Sequence, residues 1–168
     1  MIRSQIKNRI TLKTPYISSS VAIKGCNESS LAKSESKDCV VRAFASAFEL
    51  DYETAHDKVS KIFGRQNRKG TEGFRLKMNT LSENSISINE KSITPVNCDV
   101  NLMYWVMVKG VRTLRNMTTA HFLKTFATGT YIIQVKAHAF TIKDGVVIGN
   151  PSDATSRKKV ILNAWKIV

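Results

Sequence analysis

The chain has 168 residues, with 26 lysines and arginines against 13 aspartates and glutamates, and its formal net charge is +13. This length suits one domain, residues 1–168, and the hydrophobic share of 42% is ordinary for a globular protein. No apolar run approaches the ~20 residues of a membrane span, and the start, MIRSQIKNRITLK, lacks the apolar region of a secretory signal. A cytoplasmic protein with no membrane partner is therefore expected, and the positive charge predicts attraction to nucleic acid or acidic partners.

The first third of the chain is predicted to hold an extended arm and then a pair of helices. Residues 1–36 alternate weakly and then become rich in serine and lysine, which indicates short strands followed by a polar loop. Apolar residues recur at helical spacing between Asp38 and Leu50, and a second helix begins at Asp51. Residues 37–64 are therefore predicted to be a helix pair that carries a cysteine near its start.

The middle of the chain gives weaker signals. A basic loop that contains glycine follows Gly64, and its cations are candidate contacts for phosphate or an acidic substrate: Arg65, Arg68 and Lys69. The apolar run VNLMYWVMV, residues 100–108, suits either a strand or a buried helix. Its aromatic residues, Tyr104 and Trp105, are expected in the core.

Residues 118–168 are predicted to form a β-sheet that carries a histidine. A short helix begins near Thr118 and is expected to end at Gly129, and β-rich segments follow it. These segments fold back at Asp144-Gly145, a typical hairpin turn, and KVILNAWKIV closes the chain as a strand. The expected fold class is α+β, with N-terminal helices packed on a C-terminal antiparallel sheet.

The length of this hairpin loop decides which residue faces His138. A three-residue loop, Lys143 to Gly145, places Asn150 directly opposite His138 on the same face of the sheet. A two-residue loop places Ala139 opposite Asn150 and puts His138 and Asn150 on opposite faces. We expect the three-residue loop, with the Asn150 side chain accepting the Nδ1–H of His138 and leaving Nε2 free to take a thiol proton.

The three cysteines are Cys26, Cys39 and Cys98, and they form neither a CxxC pair nor a zinc-binding spacing. No metal site and no organic cofactor is therefore expected. Cys39 begins the first predicted helix, where backbone N–H groups and the helix dipole stabilise a thiolate. The same N–H groups can bind an oxyanion.

Two stretches, DCVVRAFA around Cys39 and GTYIIQVKAHAFTIKDGVV around His138, resemble the small papain-fold proteins of phages and bacteria. The resemblance implies a papain-like cysteine hydrolase acting on a peptide or isopeptide bond. Cys39 would be the nucleophile, His138 the general base and Asn150 the orienting residue, with Asp153 as the fallback for that last role. The substrate would be a protein or peptide, including a host protein, in the host cytoplasm if the chain is phage-encoded, and packaging in a virion stays open.

The chain departs from the papain pattern at one position. Papain-like enzymes place an oxyanion-binding glutamine six residues before the cysteine, and this chain has Lys33 there. The alternative function is therefore a basic, catalytically inactive protein of phage origin that uses the same scaffold to bind a host protein or nucleic acid.

Overall fold

A computed structural model describes residues 14–96, 102–155 and 159–168. The first half contains β1 (Tyr16–Ser18), α1 (Ser19–Ala22), α2 (Ser30–Ser34), α3 (Cys39–Phe48), α4 (Tyr52–Phe63), α5 (Phe74–Glu83) and β2 (Ile93–Pro95). The second half contains β3 (Met103–Val108), β4 (Val111–Asn116), α6 (Thr119–Thr125), β5 (Thr130–Val135), β6 (His138–Lys143), β7 (Val146–Gly149), α7 (Pro151–Thr155) and β8 (Asn163–Ile167).

The predicted helix pair is confirmed as α3 and α4. The apolar stripe of α3 is buried because its valine, alanine and phenylalanine side chains recur every three or four residues. The Asp51 carboxylate accepts the N–H of Thr54 at 2.9 Å and begins α4. Gly64, at φ 65°, ends α4 in the left-handed conformation that glycine adopts without strain.

The main sheet has six strands in the order β1-β7-β6-β5-β8-β2. The α+β class is confirmed, but the sheet is neither wholly C-terminal nor wholly antiparallel, because β1 pairs with β7 in parallel. Helix α3 packs on β6, and the Thr141 hydroxyl donates to the Ala43 carbonyl at 2.9 Å. This contact sets the start of α3 beside the start of β6.

The sheet is covered on both faces, and each face has its own apolar cluster. Ile132 and Trp165 belong to the cluster under α3, α4 and α5, while Ile133 and Ala164 belong to the cluster that includes Phe122 of α6. Strands buried on both faces are apolar at successive positions, which explains the run YIIQV in β5. No helix in the described part of the chain is both long enough and apolar enough to cross a membrane.

Several predicted elements differ from the structure. The polar loop before Cys39 contains the short helix α2, and α6 ends at Thr125, four residues before Gly129. Within the run at 100–108, Met103–Val108 forms the strand β3, which among the described residues pairs with β4 alone in a separate hairpin. Trp105 of β3 is 56% exposed and therefore lies outside the core, contrary to expectation. Residues 1–13 and Cys98 lie outside the described residues.

Candidate active site

Cys39 is the first residue of α3 and is partly exposed. The residue before it, Asp38, occupies the N-cap position without capping the helix through its side chain. Its Oδ2 instead accepts from Arg42 Nε at 2.8 Å and from the Tyr52 hydroxyl at 2.7 Å. The side chain of Asp38 therefore leaves the first-turn N–H groups of α3 uncapped.

His138 begins β6, directly after the two-residue turn that joins β5 to β6. Ala137 in that turn has φ 56°, and Val135 pairs with His138 across it. Cys39 and His138 line the same cleft, and each shifts the pKa of the other, so the thiol and imidazole expected to meet do lie together. The His138 Nε2 lies 3.0 Å from Asp153 Oδ2, which leaves Nδ1 as the ring nitrogen for the thiol.

The predicted three-residue hairpin loop is wrong. Lys143 pairs with Val146 and Ile142 with Val147, so Asp144 and Gly145 form a two-residue loop. Both loop residues have positive φ, 47° and 77°, as a turn matched to the strand twist requires. Asn150 is therefore not opposite His138, and the expected contact between the two side chains is replaced by one from Asp153.

Asp153, the fallback orienting residue, makes the contact that was expected of Asn150. Its side chain is fully buried, and Oδ2 accepts from His138 and from the backbone N–H of Asn150, the latter at 2.7 Å. Lys159 Nζ donates to Oδ1 at 2.7 Å. Asn150 thus contributes its backbone, rather than its side chain, to the position of the carboxylate. The expected ring orientation is also reversed, because Nε2 faces the acid and not the thiol.

The electrostatics of these three groups favour a thiolate beside an imidazolium. Burial alone would raise the pKa of the Cys39 thiol, but hydrogen bonds from His138 and the backbone, together with the positive charge of His138, hold it below its usual value. Burial alone would lower the pKa of His138, but its hydrogen bonds to Asp153 and Cys39 raise it to about 9. Burial opposes ionisation of Asp153, yet its hydrogen bonds from His138 and Lys159 lower its pKa.

The sulfur and the ring open into a cleft of about 960 Å³. Its walls come mainly from four segments: residues 36–40, 69–72, 137–140 and 148–150. This volume lies within the range of sites that hold a small molecule or a short stretch of peptide. Cys39 and His138 therefore border a space large enough for such a ligand.

No protein-family model matches this chain, and no curated protein and no solved structure shows significant similarity to it. The function must therefore be argued from the geometry of the cleft.

The cations of the basic loop after α4 were predicted to contact phosphate or an acidic substrate, and one of them is not available for this. The prediction that Arg65 contacts an anionic partner is wrong. Its guanidinium is fully buried and pairs with the Glu35 carboxylate, with N–O distances of 2.7 Å and 3.3 Å. The Arg68 N–H also donates to Glu35, at 2.8 Å. The side chains of Arg68 and Lys69 are exposed, and Lys69 lines the cleft. The loop is thus held against the segment that precedes Cys39.

Gln134 is a cleft residue that the sequence did not reveal. It lies on β5 opposite Ala139, and its Oε1 accepts from Asn163 Nδ2 at 2.9 Å. Its amide NH₂ has no hydrogen-bond partner among the described residues, so it is available to donate into the cleft. The strand pattern alone could not single out Gln134, because the position of its side chain in the cleft depends on the pairing of β5 with both β6 and β8.

Among the described residues, His56, His121 and Cys26 have contacts or burial that place them away from the Cys39 thiol. His56 is buried and lies 3.0 Å from Glu35, while the His121 ring stacks on Tyr104 at 3.6 Å. Cys26 is buried, and burial raises the pKa of its thiol. Within the described ranges, no group of three or more histidine, cysteine or acidic side chains is arranged to hold a metal ion.

Proposed function

We propose that this protein is a cysteine hydrolase of papain-like architecture that cleaves or transfers an acyl group at a peptide or isopeptide bond. The observation that carries the proposal is a series of three neighbouring groups: the Cys39 thiol, whose pKa His138 lowers, the His138 ring, and the buried Asp153 carboxylate 3.0 Å from its Nε2. A nucleophile, a base and an acid that orients the base are the groups that acyl transfer needs. The cleft beside them gives the substrate access.

In the first half of the reaction, the Cys39 thiolate attacks the substrate carbonyl and a C–S bond forms. The oxyanion is bound by the free backbone N–H at the start of α3 and by the amide of Gln134. The His138 imidazolium then donates its proton to the leaving nitrogen, and the C–N bond breaks. This leaves a thioester on Cys39 and a neutral imidazole.

In the second half, water or an acceptor amine attacks the thioester while His138 takes its proton. The C–S bond breaks, and the thiolate and imidazolium are restored. Asp153 stays ionised throughout and holds the ring with Nε2 towards itself. Because a carboxylate carries a full charge, it stabilises the imidazolium more strongly than the expected asparagine would.

The first experiment measures alkylation of the cysteines by iodoacetamide between pH 5 and pH 10. We expect Cys39 to react at neutral pH, because its pKa is lowered, and Cys26 in the folded protein to stay unreacted. His138→Gln removes the cation that helps to lower the pKa of Cys39, so the alkylation rate at pH 7 should fall at least about tenfold. Equal labelling of Cys26 and Cys39 contradicts the proposal.

The second experiment tests acyl transfer without knowledge of the natural substrate. The protein is treated with p-nitrophenyl acetate, and the acetyl group is located by mass spectrometry of peptides. We expect a thioester on Cys39 that decays with time in the wild type and is absent in Cys39→Ala. A folded wild type that forms no thioester contradicts the enzymatic function.

A second function is favoured by the net charge of +13 and by Lys33 at the position of the usual oxyanion glutamine. In this case the scaffold binds a host protein or nucleic acid without turnover. An ordinary thiol pKa, combined with oligonucleotide binding that weakens steeply as salt rises, would favour this binding function over catalysis.

A further inference from the structure

The β3–β4 hairpin presents one face to solvent, and that face is largely apolar. The strand register places six side chains on it, here called the outer face: Met103, Trp105, Met107, Arg112, Leu114 and Asn116. Trp105 is 56% exposed and Met107 is 65% exposed. Of the ten large apolar side chains exposed in the described part of the chain, five lie on this hairpin. Exposed apolar groups gathered on one element are typical of a binding surface.

The hairpin is anchored, so the outer face keeps a fixed orientation. On the opposite face, Tyr104 stacks on the His121 ring of α6 with ring centroids 3.6 Å apart. At the base of the hairpin, the Met117 N–H donates to the Leu102 carbonyl at 2.8 Å. Leu102 and Met117 both belong to the apolar cluster on this side of the main sheet. The exposed side chains are therefore held outward by the packing of the inner face.

The outer face continues into an apolar hollow of about 440 Å³. Met103, Trp105 and Leu114 form its hairpin side, and Phe126 and Met117 close the other side. All the residues that line the hollow are apolar. A hollow lined by apolar side chains suits an aliphatic or aromatic side chain.

Exposed positive charge lies on the hairpin that carries these apolar side chains: Arg112 on the outer face, Lys109 in the turn and Arg115 on the opposite face. Lys109, Arg112 and Arg115 are exposed, and none of them pairs with a carboxylate of the described residues. The sequence between Asp99 and Asp144 contains no aspartate or glutamate. The Arg112 guanidinium lies over the Trp105 ring at 4.7 Å and links the charged and apolar parts. A partner of negative charge complements this surface.

We propose that the outer face binds an acidic polypeptide segment, with one apolar side chain of that segment inserted into the hollow. Methionine, leucine and a single tryptophan suit a protein partner, because flexible thioether and aliphatic groups pack against side chains. Single-stranded nucleic acid needs several free aromatic rings, and the one ring of the outer face is already covered by Arg112. A second copy of the chain would bring Lys109 and Arg112 against like charges. The outer face shares no residue with the cleft, so this proposal does not rest on the proposed function.

The experiment selects binders from a random 12-residue peptide library displayed in vitro, with the full-length protein as bait. Enriched peptides are then synthesised, and their affinities are measured by fluorescence anisotropy. We expect them to carry aspartate or glutamate on both sides of an aliphatic or aromatic residue. Leu114→Ser, which makes the hollow polar, should weaken their binding at least about tenfold. Arg112→Gln should weaken binding and reduce its dependence on salt.

Controls separate a local effect from misfolding. Met107→Ser changes a side chain that is 65% exposed, so it tests the face even if Leu114→Ser fails to fold. Leu76→Ser and Lys33→Gln alter exposed residues of α5 and α2 and should leave the affinities within about twofold, as surface changes elsewhere do.

Three results would overturn the proposal. The first is enriched peptides that lack acidic residues or that bind the Arg112 and Met107 variants unchanged. The second is binding of a dT20 oligonucleotide that depends on these residues while the peptides do not, which assigns the face to nucleic acid. The third is a dimer in sedimentation that Leu114→Ser dissolves, which assigns it to self-association.

Discussion

At the scale of single residues, the negative charge of Asp153 raises the pKa of His138. Asp153→Asn keeps the shape but removes the charge, so the pKa of His138 should fall from about 9 towards its ordinary value of 6.5. The Cys39 thiolate then loses its cation between these two pH values. We expect the alkylation rate at pH 8 to drop at least about tenfold. Asp57→Asn, a change at an exposed residue of α4, is the control. An unchanged pH profile for Asp153→Asn contradicts the assignment of Asp153 as the group that raises the pKa of His138.

The amide of Gln134 should matter for one kind of ligand only. A peptide aldehyde forms a tetrahedral adduct with Cys39 that carries an oxyanion, whereas alkylation by iodoacetamide forms none. Gln134→Ala should therefore weaken inhibition by the aldehyde about a hundredfold and leave the alkylation rate unchanged. A loss of both aldehyde inhibition and alkylation would show that Gln134 acts on the structure of the cleft and not on the oxyanion.

Gly149 is required because the Asp153 carboxylate lies against its backbone. A Cβ at this position would lie 2.6 Å from Asp153 Oδ2 and 3.0 Å from the Phe140 Cβ. Gly149→Ala should cost about 1–3 kcal/mol in the free energy of unfolding and should slow alkylation of Cys39. Gly70→Ala, in the same cleft, has nothing within 4 Å and should change neither quantity. Denaturant melts measure the free energy of unfolding, and alkylation kinetics measure the reactivity of Cys39.

The meeting of Cys39 and His138 could be predicted from the sequence, but the choice of Asp153 over Asn150 as the partner of His138 could not. Cys39 follows from a helix N-terminus, and His138 from an apolar strand, and both signals are local. The choice between Asn150 and Asp153 depends on whether the loop at Asp144 has two or three residues. One residue in a turn reverses which side chains share a face, and Asp-Gly suits both loop lengths.

At the scale of elements, Glu35 ties the loop after α4 to the segment before α3. Its buried carboxylate receives Arg65, His56 and the Arg68 N–H, and these hydrogen bonds outweigh burial and lower its pKa to about 2. Glu35→Gln leaves the buried Arg65 without its counter-ion and should cost about 3 kcal/mol in unfolding free energy. Asp57→Asn breaks the exposed pair with Lys61 and should cost under about 1 kcal/mol.

The effect of Glu35 should depend on pH with a defined sign. Because its pKa is lower in the folded protein than the ordinary value of 4.5, its contribution is present above pH 4.5 and is lost as the pH falls towards about 2. The difference in unfolding free energy between wild type and Glu35→Gln should therefore shrink between pH 5 and pH 3. Urea melts at several pH values measure it, and a constant difference contradicts the role of this ion pair.

The hairpin formed by β3 and β4 shows why elements are harder to predict than local helices. An apolar run such as the one at residues 100–108 normally indicates a buried segment, and Trp105 was expected in the core for that reason. In the structure, only the inner face packs, through Tyr104 and its neighbours. The strand after the turn Lys109-Gly110 reads VRTLRN, with pairs of polar residues between single apolar ones and neither a period of two nor one of 3.6. An apolar surface that binds a partner stays exposed in the isolated chain, so it does not follow the general tendency of apolar side chains to be buried.

At the scale of the whole molecule, Trp165 joins the helices to the sheet. It is 1% exposed, its ring meets Phe74 edge-on at 5.3 Å, and its Nε1 donates to Asn79 Oδ1 at 2.9 Å. Trp165→Ala should cost about 3–5 kcal/mol in unfolding free energy, because it leaves a large cavity between α5 and β8. Trp165→Phe keeps most of the packing and should cost about 1 kcal/mol for the lost hydrogen bond. Thermal melts followed by circular dichroism distinguish the two values.

The three groups of the proposed site lie far apart in the sequence, and this has a consequence for synthesis. Cys39 leaves the ribosome more than a hundred residues before Asp153. A nascent chain that ends between them therefore carries a thiol with no imidazolium held beside it. Under the proposed function, such a chain should not form a thioester.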